Sequence, residues 1–150
     1  MPTHQIVIST DKGMLDIDYI HRYLSEQSYW AKGRSRENVE NSIVHSLCFG
    51  VYDLGGSDGV SRRRQIGFAR VVTDFTNFAW LCDVFVDEHC LGVGIGKRLV
   101  EAIATHPELS EVGRFMLATL DAHELYRRYG FAALERSDRL MSRTKTANRQ

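Results

Sequence analysis

The chain has 150 residues, a length that fits one domain with a substantial core. Hydrophobic residues make up 43% and charged residues 25%, as in soluble globular proteins, and the formal net charge is zero, so nucleic acid is not an expected partner. No apolar run approaches the roughly 20 residues that cross a membrane, "MPTHQIVIST" lacks the basic and apolar regions of a signal peptide, and three cysteines (Cys48, Cys82, Cys90) without CxxC spacing point to a reducing cytoplasm, not a disulfide framework.

The elements follow in chain order. "QIVIST" opens as a short strand. "DIDYIHRYLSEQ" places Ile17, Ile20 and Leu24 at helical spacing. "YWAKGRS" breaks that pattern at Gly33. "SRENVENSIVHS" predicts a second helix with Ser35 as N-cap, Glu37 in the first turn, and Val39, Ile43 and Leu47 along one face. "LCFGVYDL" reads as a strand. "GGSDGVSRRR" reads as an exposed turn, with Arg62, Arg63 and Arg64 a solvated charge run. "QIGFARVVTD" and "FAWLCDVFV" are two long strands joined through "FTN", a link short enough for antiparallel pairing.

Beyond them, Ile95, Leu99 and Ile103 mark a helix face that Pro107 ends. "RFMLAT" is a strand. "DAHELYRRY" is a short helix capped by Asp121 and closed by Gly130. "FAALE" and "RLMSR" read as two final strands, and residues 143–150 as a frayed tail. No repeat or linker divides the chain, so 1–150 reads as one mixed α/β domain.

Between strand and helix lies "DEHCLGVGIGKRLV". Glycines at a helix start let an anion approach the free backbone N–H groups, and Lys97 adds charge nearby. A Walker A loop fails here, because Leu91 stands where its first glycine belongs and Arg98 where Ser or Thr should follow the lysine. A dinucleotide fingerprint fails at Leu99, and an antiparallel hairpin precedes the loop where an early βαβ unit is required. A tight turn without ligand stays open on local sequence alone.

The same stretch resembles the acyl-CoA-binding motif of the GNAT acetyltransferases, Arg/Gln-x-x-Gly-x-Gly/Ala. Gly94 and Gly96 fall on its two required positions and Gly92 on a frequent extra one, while Leu91 replaces the Arg or Gln. "LYRRYGF", Leu125 to Phe131, is similar to the aromatic-Tyr-x-x-x-Gly-Phe signature near the end of such domains. "YWAKGRS" and "NSIVHSLCFGVY" resemble a bacterial GNAT subgroup of unknown substrate. The resemblance covers roughly residues 5 to 142. It implies a mostly antiparallel mixed sheet of six to seven strands, splayed between the fourth and fifth, with about four flanking helices. It implies acetyl-CoA as cosubstrate, its pyrophosphate at Leu91, Gly92, Val93, Gly94, Ile95, Gly96 and Lys97. Its pantetheine arm would pair with the backbone of Val84, Phe85 and Val86, with Tyr129 also in contact.

Acetyl transfer to an amine needs the neutral amine and, as the CoA thiolate leaves, a proton. By the same resemblance Tyr126 is the candidate acid, a phenol that keeps its proton at neutral pH. Asp83 is the candidate base: strand alternation puts it between Leu81 and Phe85 on one face, where desolvation would raise its pKa. Asp121 reads better as a cap, and His123 and Glu124 as solvated helix residues. The loop between the first two helices, with Tyr29, Trp30, Arg34 and Arg36, is the family's usual acceptor side. If Arg34 faces the cleft, an acceptor bearing a carboxylate becomes plausible. The six histidines show no ligand spacing, so no metal is expected, and the adjacent His89 and Cys90 lack a third partner for nucleophilic catalysis.

The resulting expectation is a cytoplasmic N-acetyltransferase, monomer or homodimer, acting on a small-molecule or peptide amine by direct attack in a ternary complex. Neither membrane nor nucleic acid is an expected partner. The alternatives are a non-catalytic acyl-CoA sensor or partner-binding module of the same fold and, against the neutral charge, an accessory domain binding RNA or protein through its arginine loop.

Overall fold

The computed structural model describes residues 5–55, 63–90 and 94–145. Its framework is one sheet in the order β1 (Ile6–Ser9), β2 (Leu47–Asp53), β3 (Arg64–Thr73), β4 (Phe78–Val86) and β5 (Arg114–Leu117). The first three pairings are antiparallel and β4–β5 is parallel. Helices α1 (Ile17–Arg22) and α2 (Arg36–Val44) lie between β1 and β2 in the chain, α3 (Ile95–Ala104) between β4 and β5, and α4 (His123–Arg127) after β5.

The sheet separates two apolar layers. On one face Ile20, Leu24, Val39 and Ile43 pack with Cys48, Phe68 and Phe85. On the other, Leu99, Val100 and Ile103 of α3 pack with Phe49, Val51, Val71, Ala79 and Leu81, and Tyr126 of α4 joins them. Both layers follow from period-2 strands meeting period-3.6 helices. α1 ends in a π-helical turn, Tyr23–Gln27, which stacks Tyr23 flat on Phe85 at 3.9 Å between ring centroids. Ser35 caps α2 by accepting from Asn38 N–H. Gly130 closes α4 at a φ of 93°, in the left-handed region that suits glycine.

Several expectations are corrected. Leu47 does not extend the α2 face; α2 stops at Val44, and Leu47 starts β2. α3 stops at Ala104, ahead of Pro107, which begins a separate 3-10 turn. Ala122, not Asp121, occupies the cap position of α4, and its N–H is taken by Thr119 Oγ1. The turn after β3 is organised by Asp74, whose carboxylate accepts from the N–H groups of Thr76, Asn77 and Phe78.

The sheet has five strands among the described residues, not six to seven. "FAALE" is held by one aromatic anchor. Phe131 donates its N–H to Tyr126 O and packs edge-on to Phe115 and Tyr126. Within the next stretch Arg136 grips Asp138 with two nitrogens, and the chain bends into a 3-10 turn at Ser137–Arg139, so "RLMSR" stays outside the sheet. Residues 56–62, with Arg62, lie outside the described residues, while Arg64 already belongs to β3.

Tyr52 is 1% exposed and its ring lies across Gly50, where a Cβ would stand 2.1 Å from the tyrosine oxygen. Gly50→Ala therefore forces a buried ring to move. It is expected to cost about 2 kcal/mol, read as a lower urea midpoint at unchanged slope.

Candidate active site

β4 and β5 pair only from Phe78↔Arg114 to Leu81↔Leu117. β4 then continues to Val86 without a partner in β5. Between Cys82 and Phe85 its register against β3 shifts, because Arg70 faces Cys82 and Phe68 faces Phe85. The single Ala69 thus opposes both Asp83 and Val84, a β-bulge, and Asp83 takes a φ of 54°. The bulge reverses the alternation. Leu81, Val84 and Val86 pack toward α3, whereas Phe85 packs toward α1. The expected common face of Leu81, Asp83 and Phe85 does not exist.

Asp83 is instead the hub of a polar cluster on the α1–α2 face. Its Oδ1 accepts from Trp30 Nε1 at 2.9 Å, and its Oδ2 accepts from Arg34 at 2.8 Å and from Arg70 Nε at 2.9 Å. Arg70 also donates to Ser46 Oγ, and the imidazole Nε2 of His21 lies 3.0 Å from the Arg34 carbonyl oxygen. Asp83 is 5% exposed. Burial alone would push its carboxyl up. The guanidiniums of Arg34 and Arg70, with the bonds from Arg70 and Trp30, outweigh burial and hold it below the ordinary carboxylate value. The expected rise in its pKa is thereby reversed, and a carboxylate so well satisfied is a poor proton acceptor.

Three of the residues expected at the acceptor, Tyr29, Trp30 and Arg34, come together here. Tyr29 packs edge-on to Trp30, and both are exposed, at 64% and 39%. Arg36 turns elsewhere, to Asp18 and Glu40. Arg70 and Ser46 were not anticipated. The one available signal for Arg70 was a charge within the apolar run "FARVV" of a central strand, which calls for a buried partner.

Across the sheet, Gly94 takes the cap position of α3 at a φ of 78° with no side-chain cap bond. The first-turn N–H groups of such a helix have no intrahelical acceptor. Among the described residues, added Cβ atoms at Gly94 and Gly96 would meet nothing within 4 Å. Ile95 is buried in the core and offers only its backbone, while Lys97 is exposed. Leu91, Gly92 and Val93 lie outside the described residues.

Tyr126 is 8% exposed and packs in the α3 layer. Burial, and secondarily Asp121, raises its pKa, so the phenol stays protonated. With His123, Tyr129, Phe115 and Leu117 it lines a cavity of about 570 Å³ between β5, α4 and residues 131–134. That cavity shares Tyr126 and Tyr129 with the expected site but reaches neither Val84–Val86 nor the start of α3. The expected acid and the expected base therefore lie on opposite faces of the sheet.

Residues 48–133 match the family model described as an acetyltransferase (GNAT) domain. The chain belongs to the GNAT acetyltransferase family. It is 45% identical to a solved Xanthomonas campestris pv. campestris protein assigned to the GNAT family, with 94% of each chain covered and a TM-score of 0.84. It is also 28% identical over 135 residues to an assigned acetyltransferase of Gibberella zeae, covering 80% of this chain and 75% of that one. The Neisseria gonorrhoeae N-acetylglutamate synthase, solved with coenzyme A and L-arginine, shares the fold at 20% identity and a TM-score of 0.61, over 91% of this chain and 29% of that one. Within this GNAT domain the described part of the family motif, Gly94 to Lys97, starts α3, and the aromatic signature runs from α4 to Phe131. No helix among the described residues is long and apolar enough to cross a membrane.

Proposed function

We propose that this GNAT domain transfers an acetyl group from acetyl-CoA to a primary amine by direct attack in a ternary complex. The observation that carries the reading is the parting of β4 from β5 beside a glycine-started helix. It leaves the backbone of β4 from Cys82 to Val86 without a partner in β5, and the first-turn N–H groups of α3 without a side-chain cap. Acetyl-CoA supplies the acetyl group already activated as a thioester. The start of α3, with Gly94, Gly96 and Lys97, suits its phosphates, and the backbone of Val84, Phe85 and Val86 suits an amide-bearing arm. An N–H near Phe85 would polarise the thioester carbonyl. Tyr126 would give its proton to the departing sulfur. Asp83 holds Trp30, Arg34 and Arg70 in place, and the acceptor ammonium loses its proton to solvent before the neutral amine attacks.

Calorimetric titration with acetyl-CoA, followed by a screen of amines for CoA release, tests the reading. Saturable micromolar binding and amine-dependent turnover are expected. Binding without turnover on any amine would leave an acyl-CoA-binding module, and no binding at millimolar acetyl-CoA would remove the cofactor assignment.

Gly96→Leu separates binding from folding. The position is helical and open, so leucine, a better helix former by up to about 1 kcal/mol, should preserve or raise stability. The added side chain should weaken acetyl-CoA at least tenfold. Unchanged affinity in a stable variant would move the phosphates away from this helix.

Without a protein base, kcat/KM should climb about tenfold per pH unit below the pKa of the amine, near 10.4 for an unperturbed lysine-like acceptor. A plateau from pH 6 to 7 would instead reveal a titrating base.

A further inference from the structure

We propose that the acceptor is a primary amine that also carries a carboxylate, bound by Arg34 where β4 and β5 part. The proposal rests on the acetyl-transfer reading and adds the substrate class. Its first support is a charge imbalance. Two guanidiniums, Arg34 and Arg70, converge on one carboxylate, Asp83, which leaves one positive charge in excess. Their side chains are only 22% and 14% exposed, so water neutralises that excess poorly.

The second support is unused bonding capacity. Arg70 is tied to Asp83 and Ser46, and Trp30 holds the other oxygen of Asp83. Arg34 reaches Asp83 through a single terminal nitrogen. Its other terminal nitrogen and Nε have no partner among the described residues, and such a pair of donors matches a carboxylate. Because Trp30 and Arg70 also hold Asp83, this fork is oriented before any ligand arrives.

Position supplies the third support. Asp83 lies just beyond the last β4–β5 pair, Leu81↔Leu117, so the excess charge stands on the stretch of β4 that has no partner in β5. A cationic neighbour also disfavours the ammonium form of an amine, which aids the deprotonation that attack requires. The same field opposes polyamines, which would add positive charge. A monoanionic carboxylate balances the single excess charge, whereas a phosphate dianion would overshoot it. Exposed Tyr29 and Trp30 provide an aromatic wall beside Arg34 for the body of the substrate.

The test compares amines matched except for the carboxylate, phenylalanine against 2-phenylethylamine and β-alanine against ethylamine. Each rate is corrected for the fraction of neutral amine. The acid member should win by at least tenfold in kcat/KM. In Arg34→Gln that ratio should fall toward one, and in Arg34→Lys, which keeps charge but not the fork, it should be intermediate. Equal or reversed preference in the wild type, or an unchanged ratio in Arg34→Gln, overturns the proposal.

A second arm needs neither acetyl-CoA nor turnover. The Trp30 indole N–H resonance, identified with Trp30→Phe, should shift on titration with phenylalanine in the wild type and stay still in Arg34→Gln. If acetyl-CoA does not bind but this shift appears, the carboxylate site stands while the acetyl-transfer reading falls. If neither the shift nor the kinetic preference appears, the carboxylate site is gone.

Discussion

Tyr126→Phe should lower kcat about a hundredfold, the lower end of what a positioned general acid contributes, with acetyl-CoA affinity nearly unchanged. The hydroxyl is the only group removed. The ring stays in the α3 layer, edge-on to Phe131, so the melting temperature should barely move. Burial raises the pKa of this phenol, so it enters the reaction protonated across the neutral range. The departing thiolate creates the demand for that proton, which places the loss in kcat and leaves binding alone. Stopped-assay turnover with saturating acetyl-CoA, paired with calorimetry, gives both numbers. A kcat within twofold of wild type would take Tyr126 out of the chemistry and leave it as a packing residue.

Asp83→Asn should cost about 3 kcal/mol, near the value for breaking a buried ion pair from one side. Asparagine keeps the shape and tolerates the positive φ of this position, so backbone strain adds little. The cost arises because Arg34 and Arg70 remain while their counter-charge is gone. For a chain of this size that corresponds to a fall in melting temperature of roughly 6–12 °C.

The pH dependence has a definite sign. The folded-state pKa of Asp83 lies below its unfolded value, so its contribution is complete above about pH 3.9 and is lost as pH falls through the folded pKa. The stability gap between wild type and Asp83→Asn should accordingly be constant from pH 8 to 5 and narrow in stronger acid. A gap that instead changes near neutrality would mean that Asp83 titrates there, and would restore it as a base.

Much of this domain was legible from residue patterns. The alternation in "QIGFARVVTD" and "FAWLCDVFV" and the short link between them dictated an antiparallel pair. The spacing of Ile95, Leu99 and Ile103 dictated the buried face of α3, and Ser35 and Gly130 marked helix ends through their own backbone chemistry. The glycine motif and "LYRRYGF" pointed to the family before any coordinates. These signals are local: each depends on the period of an element or on the conformational preference of one residue.

Tertiary structure decided what depends on a neighbour distant in sequence. "FAALE" and "RLMSR" carry a strand-like pattern, but a ladder needs a partner, and Phe131 and the Arg136–Asp138 pair hold that stretch by other means. The role of Asp83 turned on a bulge that strand alternation cannot reveal, because one extra residue in β4 is visible only against the register of β3. The same bulge sends Asp83 to Arg70, Arg34 and Trp30, thirteen to fifty-three positions away, and those partners reverse the direction of its pKa. By itself the sequence determined the family, the main elements and the glycine-started helix. The pairing of charges that makes Asp83 an anchor and leaves Arg34 with a free fork was set by the fold, since Coulomb interactions depend on distance in space and not along the chain.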